Sequence, residues 1–146
     1  MQILRLLPDQ IMEHWHFIKE SMEKAFPPVA HATGDVMLII QEQFLLGDMQ
    51  CWFGVESLDS AGIVAVMTTK VVYDEVTKTK NMLIFSVTSY MMHSEELWFD
   101  GYETLRAYAR SKGCNKIISF SDNPQVMHIA KKLGANVEWK LIQLDI

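Results

Sequence analysis

Lys116 to Ala135 reads KIISFSDNPQVMHIAKKLGA, and this stretch decides the fold. Lys116 to Phe120 is β-branched and aromatic, as a strand requires, and Ser121-Asp122-Asn123-Pro124 sets a capping side chain before a proline suited to a first helical turn. Val126, Ile129, Ala130 and Leu133 then recur at helical spacing. Lys131 and Lys132 complement the C-terminal end of the helix dipole, and Gly134 supplies a permissive stop. The unit is strand, turn, helix, stop.

Working outward, Met1 to Leu7 reads as a first strand, with Pro8 as a turn and Asp9 as the cap of a helix. Ile11, Trp15, Ile18, Met22 and Phe26 line one face of that helix until Pro27-Pro28 stops it. His14 and His16 share it, but a spacing of two points them to different faces, which argues against a shared metal. After a loop containing His31, Thr33 is expected to cap a second helix, with Val36, Ile39, Ile40 and Phe44 on its apolar face and Gly47 as its stop. Gln50–Ser57, Gly62–Tyr73 and Asn81–Tyr90 read as an antiparallel meander, joined by Asp59-Ser60-Ala61 and by the polar run Asp74 to Lys80. Lys78 and Lys80 take solvated positions there. A third helix is expected over 94–112, with Trp98, Gly101, Tyr102, Leu105, Tyr108 and Ala109 as its broad face and Gly113 as its end. Asn136 to Ile146, with Val137, Trp139, Leu141 and Ile142 among polar residues, reads as a last strand bent near Lys140. The expected fold class is α/β (α+β), a single domain over 1–146 built in the order β-α-α-β-β-β-α-β-α-β around a mixed sheet.

Composition bounds the function. A chain of 146 residues can bury a full core without staples, and a net charge of −5 opposes binding to nucleic acid or an anionic membrane while attracting a basic peptide or amine. Cys51 and Cys114 form no metal-ligand spacing and no disulfide framework, so both are read as reduced thiols of a cytoplasmic protein. No apolar run approaches a membrane span, so a soluble protein is expected. No Ser-His-Asp order, Walker loop, HExxH or paired-cysteine zinc pattern occurs, and no metal is expected.

The opening stretch resembles a motif of the GCN5-related N-acetyltransferases (GNAT), which reads roughly Asn-x-x-Ala-x-x-Leu-Tyr-x-Lys-x-Gly-Phe. Asn123, Val126, Ile129, Ala130, Lys132, Gly134 and Ala135 fall on its seven positions without a gap, three of them identical. The element order matches that fold over essentially the whole chain. Two departures matter: the motif's tyrosine, often the acid that reprotonates the coenzyme A thiolate, corresponds to Ala130, and its phenylalanine to Ala135.

The resemblance implies acetyl-CoA as cofactor, an amine as acceptor, and a pair of helices bordering the acceptor cleft. It also implies a Gln/Arg-x-x-Gly-x-Gly/Ala pyrophosphate loop before the third helix. His93, Glu96 and Trp98 fall on those three positions, so neither glycine is present. Ser94 reads instead as a helix cap, and Glu95-Glu96 place carboxylates in the first turn, where each contributes about 0.3 to 1 kcal/mol with the dipole that a phosphate would otherwise use. Tyr90, Met91, Met92, His93, Ser94 and Asn123 are the candidate cofactor contacts, a backbone N–H near Met91 the candidate for polarising the thioester carbonyl. Tyr90 has two readings, the acid and a packing tyrosine with a bonded hydroxyl; His128 sits on a different face of its helix from the missing tyrosine. Glu56 has two readings, a general base acting directly or through water and an exposed edge carboxylate. Asn123 reads equally as a helix cap. A second reading of the whole chain is a non-catalytic binding or assembly module with a protein partner, similar to compact phage- or prophage-encoded proteins that lack the glycine loop. A cleft kept open between the fourth and fifth strands favours the enzyme, and one filled by Trp98 or Met92 favours the module.

Overall fold

The computed structural model describes residues 2–27, 34–57, 62–91 and 94–146. The expected His31 loop, the Thr33 cap, the Asp59-Ser60-Ala61 turn and the Met92 and His93 contacts lie outside these residues. Five strands form one mixed sheet in the order β1 (Gln2–Arg5), β2 (Met49–Val55), β3 (Ile63–Asp74), β4 (Thr79–Ser89) and β5 (Lys116–Ser119). The first four are antiparallel neighbours, and β5 runs parallel to β4. This is the α/β architecture expected, up to its last strand.

The helices are α1 (Pro8–Glu13), α2 (Trp15–Lys24), α3 (Gly34–Leu46), α4 (Glu95–Ser111) and α5 (Pro124–Lys132). The first expected helix is thus two. The backbone departs from helical geometry at His14 (φ −102°, ψ 15°), yet Ile11, Ile18 and Met22 stay buried in one stripe across the break. Asp9 does not cap α1. Leu7 is the N-cap and Pro8 the first helical residue, where its missing N–H costs nothing, and the Gln10 side chain accepts a hydrogen bond from the Leu7 N–H at 2.8 Å. Glycines 47, 113 and 134 end or follow α3, α4 and α5 with φ of 83°, 73° and 81°, a conformation that favours glycine.

All of β2 is buried, because the sheet is covered on both faces. Successive residues alternate between the two layers. Met49, Cys51 and Phe53 join Ile11, Ile18, Met22, Met37, Ile40 and Phe44 under α1 to α3, while Trp52 joins Ile3, Met67, Met82, Leu105 and Ala109 under α4. Several buried polar groups are paired across strands: Trp52 Nε1–H donates to Thr69 Oγ1 (2.9 Å), whose hydroxyl donates to Gln50 Oε1 (3.0 Å), and the Thr68 and Ser86 hydroxyls lie 2.6 Å apart. In the β3–β4 turn the Asp74 carboxylate accepts from the backbone N–H groups of Thr77 and Val76, which hold it below the usual carboxylate range.

Two β-bulges set the faces. Val64 is the extra residue opposite Gly54 and Val55, and Phe85 is the extra residue opposite Thr68 and Thr69. Met82 and Ile84 pack toward α4, and so does Val87; beyond Phe85 the alternation is inverted, and Thr88 and Tyr90 reach the α2 side instead.

The expected last strand is not formed. Residues 135–146 belong to no helix or strand, and Trp139, Ile142 and Leu144 are 88%, 84% and 86% exposed. A strand needs a partner edge as well as a pattern, and the free edge of β5 remains the margin of the sheet.

Burial raises the Cys51 thiol from its ordinary value of 9.0 to about 12, so this cysteine is an inert core residue. In the unfolded chain the thiol ionises near its ordinary value. Stability linked to Cys51 is therefore intact below about pH 9 and declines as pH rises toward 12. Thermal unfolding between pH 8 and 11 is expected to show a steeper fall in Tm for the wild type than for Cys51→Ala; equal slopes would contradict this.

Candidate functional site

The bulge at Phe85 coincides with the end of β5. The two parallel strands pair only from Asn81 opposite Lys116 to Ile84 opposite Ser119. β4 continues to Ser89, still paired with β3 as far as Ala65, while the chain after Ser119 leaves the sheet toward α5. Residues 85–89 therefore present one backbone edge without a strand partner, across a wedge from Phe120. The backbone at the wide end of this wedge is held by Tyr90 N–H donating to Val64 O (2.9 Å) and by Ser89 Oγ donating to Met91 O (2.7 Å).

The Tyr90 side chain crosses from β4 to α2. Its hydroxyl is hydrogen-bonded to Ser21 Oγ, and its ring stacks on Phe17 with centroids 5.4 Å apart. Thr88 Oγ1 donates to the Ser21 carbonyl at 2.9 Å, so Thr88 of β4 and Tyr90 just past its end hold one point on α2. Ser21 is 1% exposed and Tyr90 40%. Ser21 and Thr88 were not singled out in the sequence. Their signal was there for Ser21, a polar residue inside the apolar stripe of Ile18 and Met22.

Glu56 lies one residue beyond β2, in a bend and exposed, rather than on the central strand expected for it. Val55 pairs with Ile63 and the neighbouring Val64 accepts from Tyr90, so Glu56 and Tyr90 sit at the same end of the sheet. Two strand spacings, about 10 Å, separate their strands. Met91 is exposed beside the wedge.

Ser94 occupies the N-cap position of α4 with extended backbone (φ −63°, ψ 154°), but its side chain makes no capping hydrogen bond, contrary to the cap expected. Glu95 and Glu96 are in the first turn as read. Glu95 does more than face the dipole: its Oε2 accepts from Lys132 Nζ at 2.5 Å and its Oε1 lies 3.2 Å from His128 Nε2. Hydrogen bonding to Lys132 is the main reason its carboxyl is held below the usual range. Two residues of the opening stretch thus tie α5 to the start of α4. Asn123 caps α5 through its side-chain oxygen, which accepts from Gln125 N–H at 2.9 Å. Trp98 belongs, with Ile84, Val87 and Leu97, to the packed layer between α4 and the sheet. A separate cleft of about 370 Å³ at the opposite end of the sheet is lined by Lys70, Lys80 and Lys112 among others. The ends of α3 and α4 meet there, and these ammonium groups complement two helix C-termini. No group of three or more metal-ligating side chains occurs among the described residues, nor is any helix there long and apolar enough to cross a membrane.

This sheet, split between its fourth and fifth strands beside a bulge, is the fold of the GCN5-related N-acetyltransferases. Solved structures with that fold superpose over nearly the whole chain. A complex of the aminoglycoside acetyltransferase AAC(6')-Iy with a CoA bisubstrate analogue matches with a TM-score of 0.72 at 14% identity, covering 99% of this chain and 97% of that one. A ribosomal-protein-alanine N-acetyltransferase of Brucella melitensis biovar Abortus matches at 0.66 and 9%, covering 100% of both. A predicted acetyltransferase of Clostridium acetobutylicum, solved with acetyl-CoA, matches at 0.68 and 13%, covering 97% of this chain and 95% of that one. Comparison with protein-family models gives no match, and comparison with curated protein sequences gives none either.

The Ser21–Tyr90 contact is testable by a double-mutant cycle. Ser21→Ala and Tyr90→Phe are each expected to lower unfolding stability by about 1 kcal/mol. The double variant should lose clearly less than the sum, and additive losses would mean that the two hydroxyls do not act together.

Proposed function

We propose that this chain is an N-acyltransferase that uses acetyl-CoA or a related acyl-CoA and acts on an amine. The observation that supports it best is the wedge between β4 and β5, with its unpartnered backbone at residues 85–89. An extended ligand with amide groups, such as the pantetheine arm, is suited to add there as a further strand, because the bonds it needs come from the backbone and not from particular side chains. Coenzyme A-bound neighbours with the same fold support the cofactor class.

The fit is poorer at the phosphate end. No glycines precede α4, and Glu96 stands in its first turn. Two features offset this. Ser94 leaves the first N–H groups of α4 without a side-chain cap, and Lys132 compensates the charge of Glu95. Ser94 and the α4 N-terminus are assigned to the phosphates, Met91 and Asn123 to the arm, with Met92 and His93 as further candidates.

The cofactor's thioester supplies the acyl group. Met91 N–H polarises the carbonyl under attack. Glu56, through water, accepts the proton that the amine loses. Tyr90 supplies a proton to the departing sulfur, its phenol oriented by Ser21 and Phe17 in the role that Ala130 cannot fill. A net charge of −5 draws a cationic amine toward the protein.

The carboxylates of Glu95 and Glu96 favour a second reading, a binding or assembly module that no longer takes coenzyme A. Calorimetry separates the two. Acetyl-CoA, with desulfo-CoA and adenosine bisphosphate as controls, is expected to bind with micromolar Kd, most of the affinity coming from the arm. No heat at millimolar ligand would overturn the enzyme reading. With an acceptor found by amine screening, Glu56→Gln combined with Tyr90→Phe should reduce kcat/KM at least tenfold, and a smaller loss would remove both from the chemistry.

A further inference from the structure

At the end of the sheet remote from the wedge, one cleft gathers cations in a protein whose net charge is −5. Its volume is about 370 Å³, and it is lined by Lys70 of β3, Lys80 of β4 and Lys112 at the end of α4, with Gln50, Tyr108 and one carboxylate, Asp48, among the rest. Elsewhere cations are paired: Lys19, Lys24, Arg106 and Lys132 each have a carboxylate oxygen within 3.9 Å. Among the described residues no carboxylate comes that close to Lys70, Lys80 or Lys112, and none of these three ammonium groups donates a hydrogen bond. Lys112 Nζ lies 5.4 Å from the centre of the Tyr108 ring and the Arg5 guanidinium 5.2 Å, so a fourth cation stands at the lining.

Helix ends account for part of this charge. α3 and α4 both finish at the cleft, each carrying about half a negative charge there. Their last carbonyls already have donors, since Asp48 N–H donates to Gln43 O (2.9 Å), Gln50 Nε2 to Gly47 O (3.1 Å), Cys114 N–H to Ala109 O (3.0 Å) and Ser111 Oγ to Tyr108 O (2.6 Å). The two helix ends and Asp48 together amount to about two negative charges, against the three lysines and Arg5. A surplus of about two positive charges remains, which matches a phosphoryl dianion. Ammonium groups arriving from three separate elements act as point donors, suited to the several oxygens of a phosphoryl group rather than to the flat carboxylate that a bidentate arginine takes. The cleft is also larger than a single phosphate and within the range of small-ligand sites.

We propose that this cleft binds a condensed phosphate, a chain of two or three linked phosphoryl groups, at a site separate from the wedge. Lys80 and Ser89 stand near opposite ends of β4, about 30 Å apart, so the two sites do not compete for space. The net charge of the chain repels an anion at long range. Attraction is therefore local, and it comes from Lys70, Lys80, Lys112 and Arg5.

Tripolyphosphate titrated into the full chain in 50 mM NaCl should bind with a Kd below about 1 mM, and about tenfold more weakly in 300 mM NaCl, where exposed charges are screened. Amide NMR signals of Gly47, Lys112 and Gly113 should shift, and those of Glu95 to Trp98 should not. These shifts report the cleft whether or not the wedge takes coenzyme A. Lys70→Gln, Lys80→Gln and Lys112→Gln combined should weaken binding by about thirtyfold with far-UV circular dichroism unchanged, and Lys80→Gln alone, at an exposed position, by about fivefold. Lys19→Gln, Lys131→Gln and Lys140→Gln combined remove the same charge elsewhere and should change the affinity less than about threefold. ATP should bind about as tightly as tripolyphosphate, because the phosphate chain is what the cleft holds. No binding at 10 mM, shifts confined to the start of α4, equal weakening by the two triple variants, or a tenfold preference for ATP would overturn the proposal.

Discussion

A single extra residue in β4 governs the candidate site. Phe85 stands opposite no residue of β3, and with it the side-chain parity of the strand is inverted. In an unbulged strand Thr88 and Tyr90 would continue the row of Met82 and Ile84 toward α4. They face α2 instead, where Ser21 binds both. The last rung between β4 and β5, Ile84 opposite Ser119, immediately precedes it, so the wedge, the free backbone edge and the orientation of Tyr90 all begin at one place in β4. The Phe85 side chain itself packs edge-on against Phe26 with centroids 5.6 Å apart, which fixes the bulge to the helical layer.

The bulge is tolerable because the sheet around it is covered on both faces. β2 and residues 64–69 of β3 are buried, and the polar side chains among them are satisfied in pairs across strands. Thr68 and Ser86 lie directly across from one another next to the bulge and exchange a hydrogen bond there, so the kink leaves neither hydroxyl unpaired. Methionines 22, 37, 49, 67 and 82 fill both layers, where unbranched, adaptable side chains accommodate the irregular spacing that two bulges impose. The covering weakens toward β5, whose residues are mostly exposed.

The elements that were legible in the sequence are those specified by neighbouring residues. Asn123 and Pro124 start α5, Gly134 stops it, and the apolar stripe from Ile11 to Met22 locates the first helical layer, because caps, stops and stripes act over a few residues. The break at His14 left no mark: the stripe runs straight through it with no glycine or proline. Neither bulge was legible, since Phe85 sits in an unbroken apolar run, and which of its residues is skipped is decided by the opposing strand. Ser94 has the composition of a cap but not its hydrogen bond, and Glu95 was read against its own helix while its partners stand on α5. Residues 136–146 show the limit most plainly. Their alternation predicts a strand, yet they belong to none, because a pattern supplies no partner edge.

The site divides into a part made by backbone and a part made by side chains, and the two tolerate sequence change differently. The wedge needs only that β4 be bulged and β5 short, conditions many sequences meet, which is why identities of 9% to 14% coexist with superposition over nearly the whole chain. Proton transfer and phosphate neutralisation need specific groups at specific positions, and there the sequence departs from the motifs it resembles, with Ala130 and Glu96 on the positions of a tyrosine and a glycine. Tyr90, just past the end of β4, carries a phenol that is hydrogen-bonded to Ser21 of α2. A fold fixes where a ligand can lie, whereas chemistry depends on the few side chains that reach it. In the proposed reaction that side chain is Tyr90, whose phenol is hydrogen-bonded to Ser21 and whose ring stacks on Phe17.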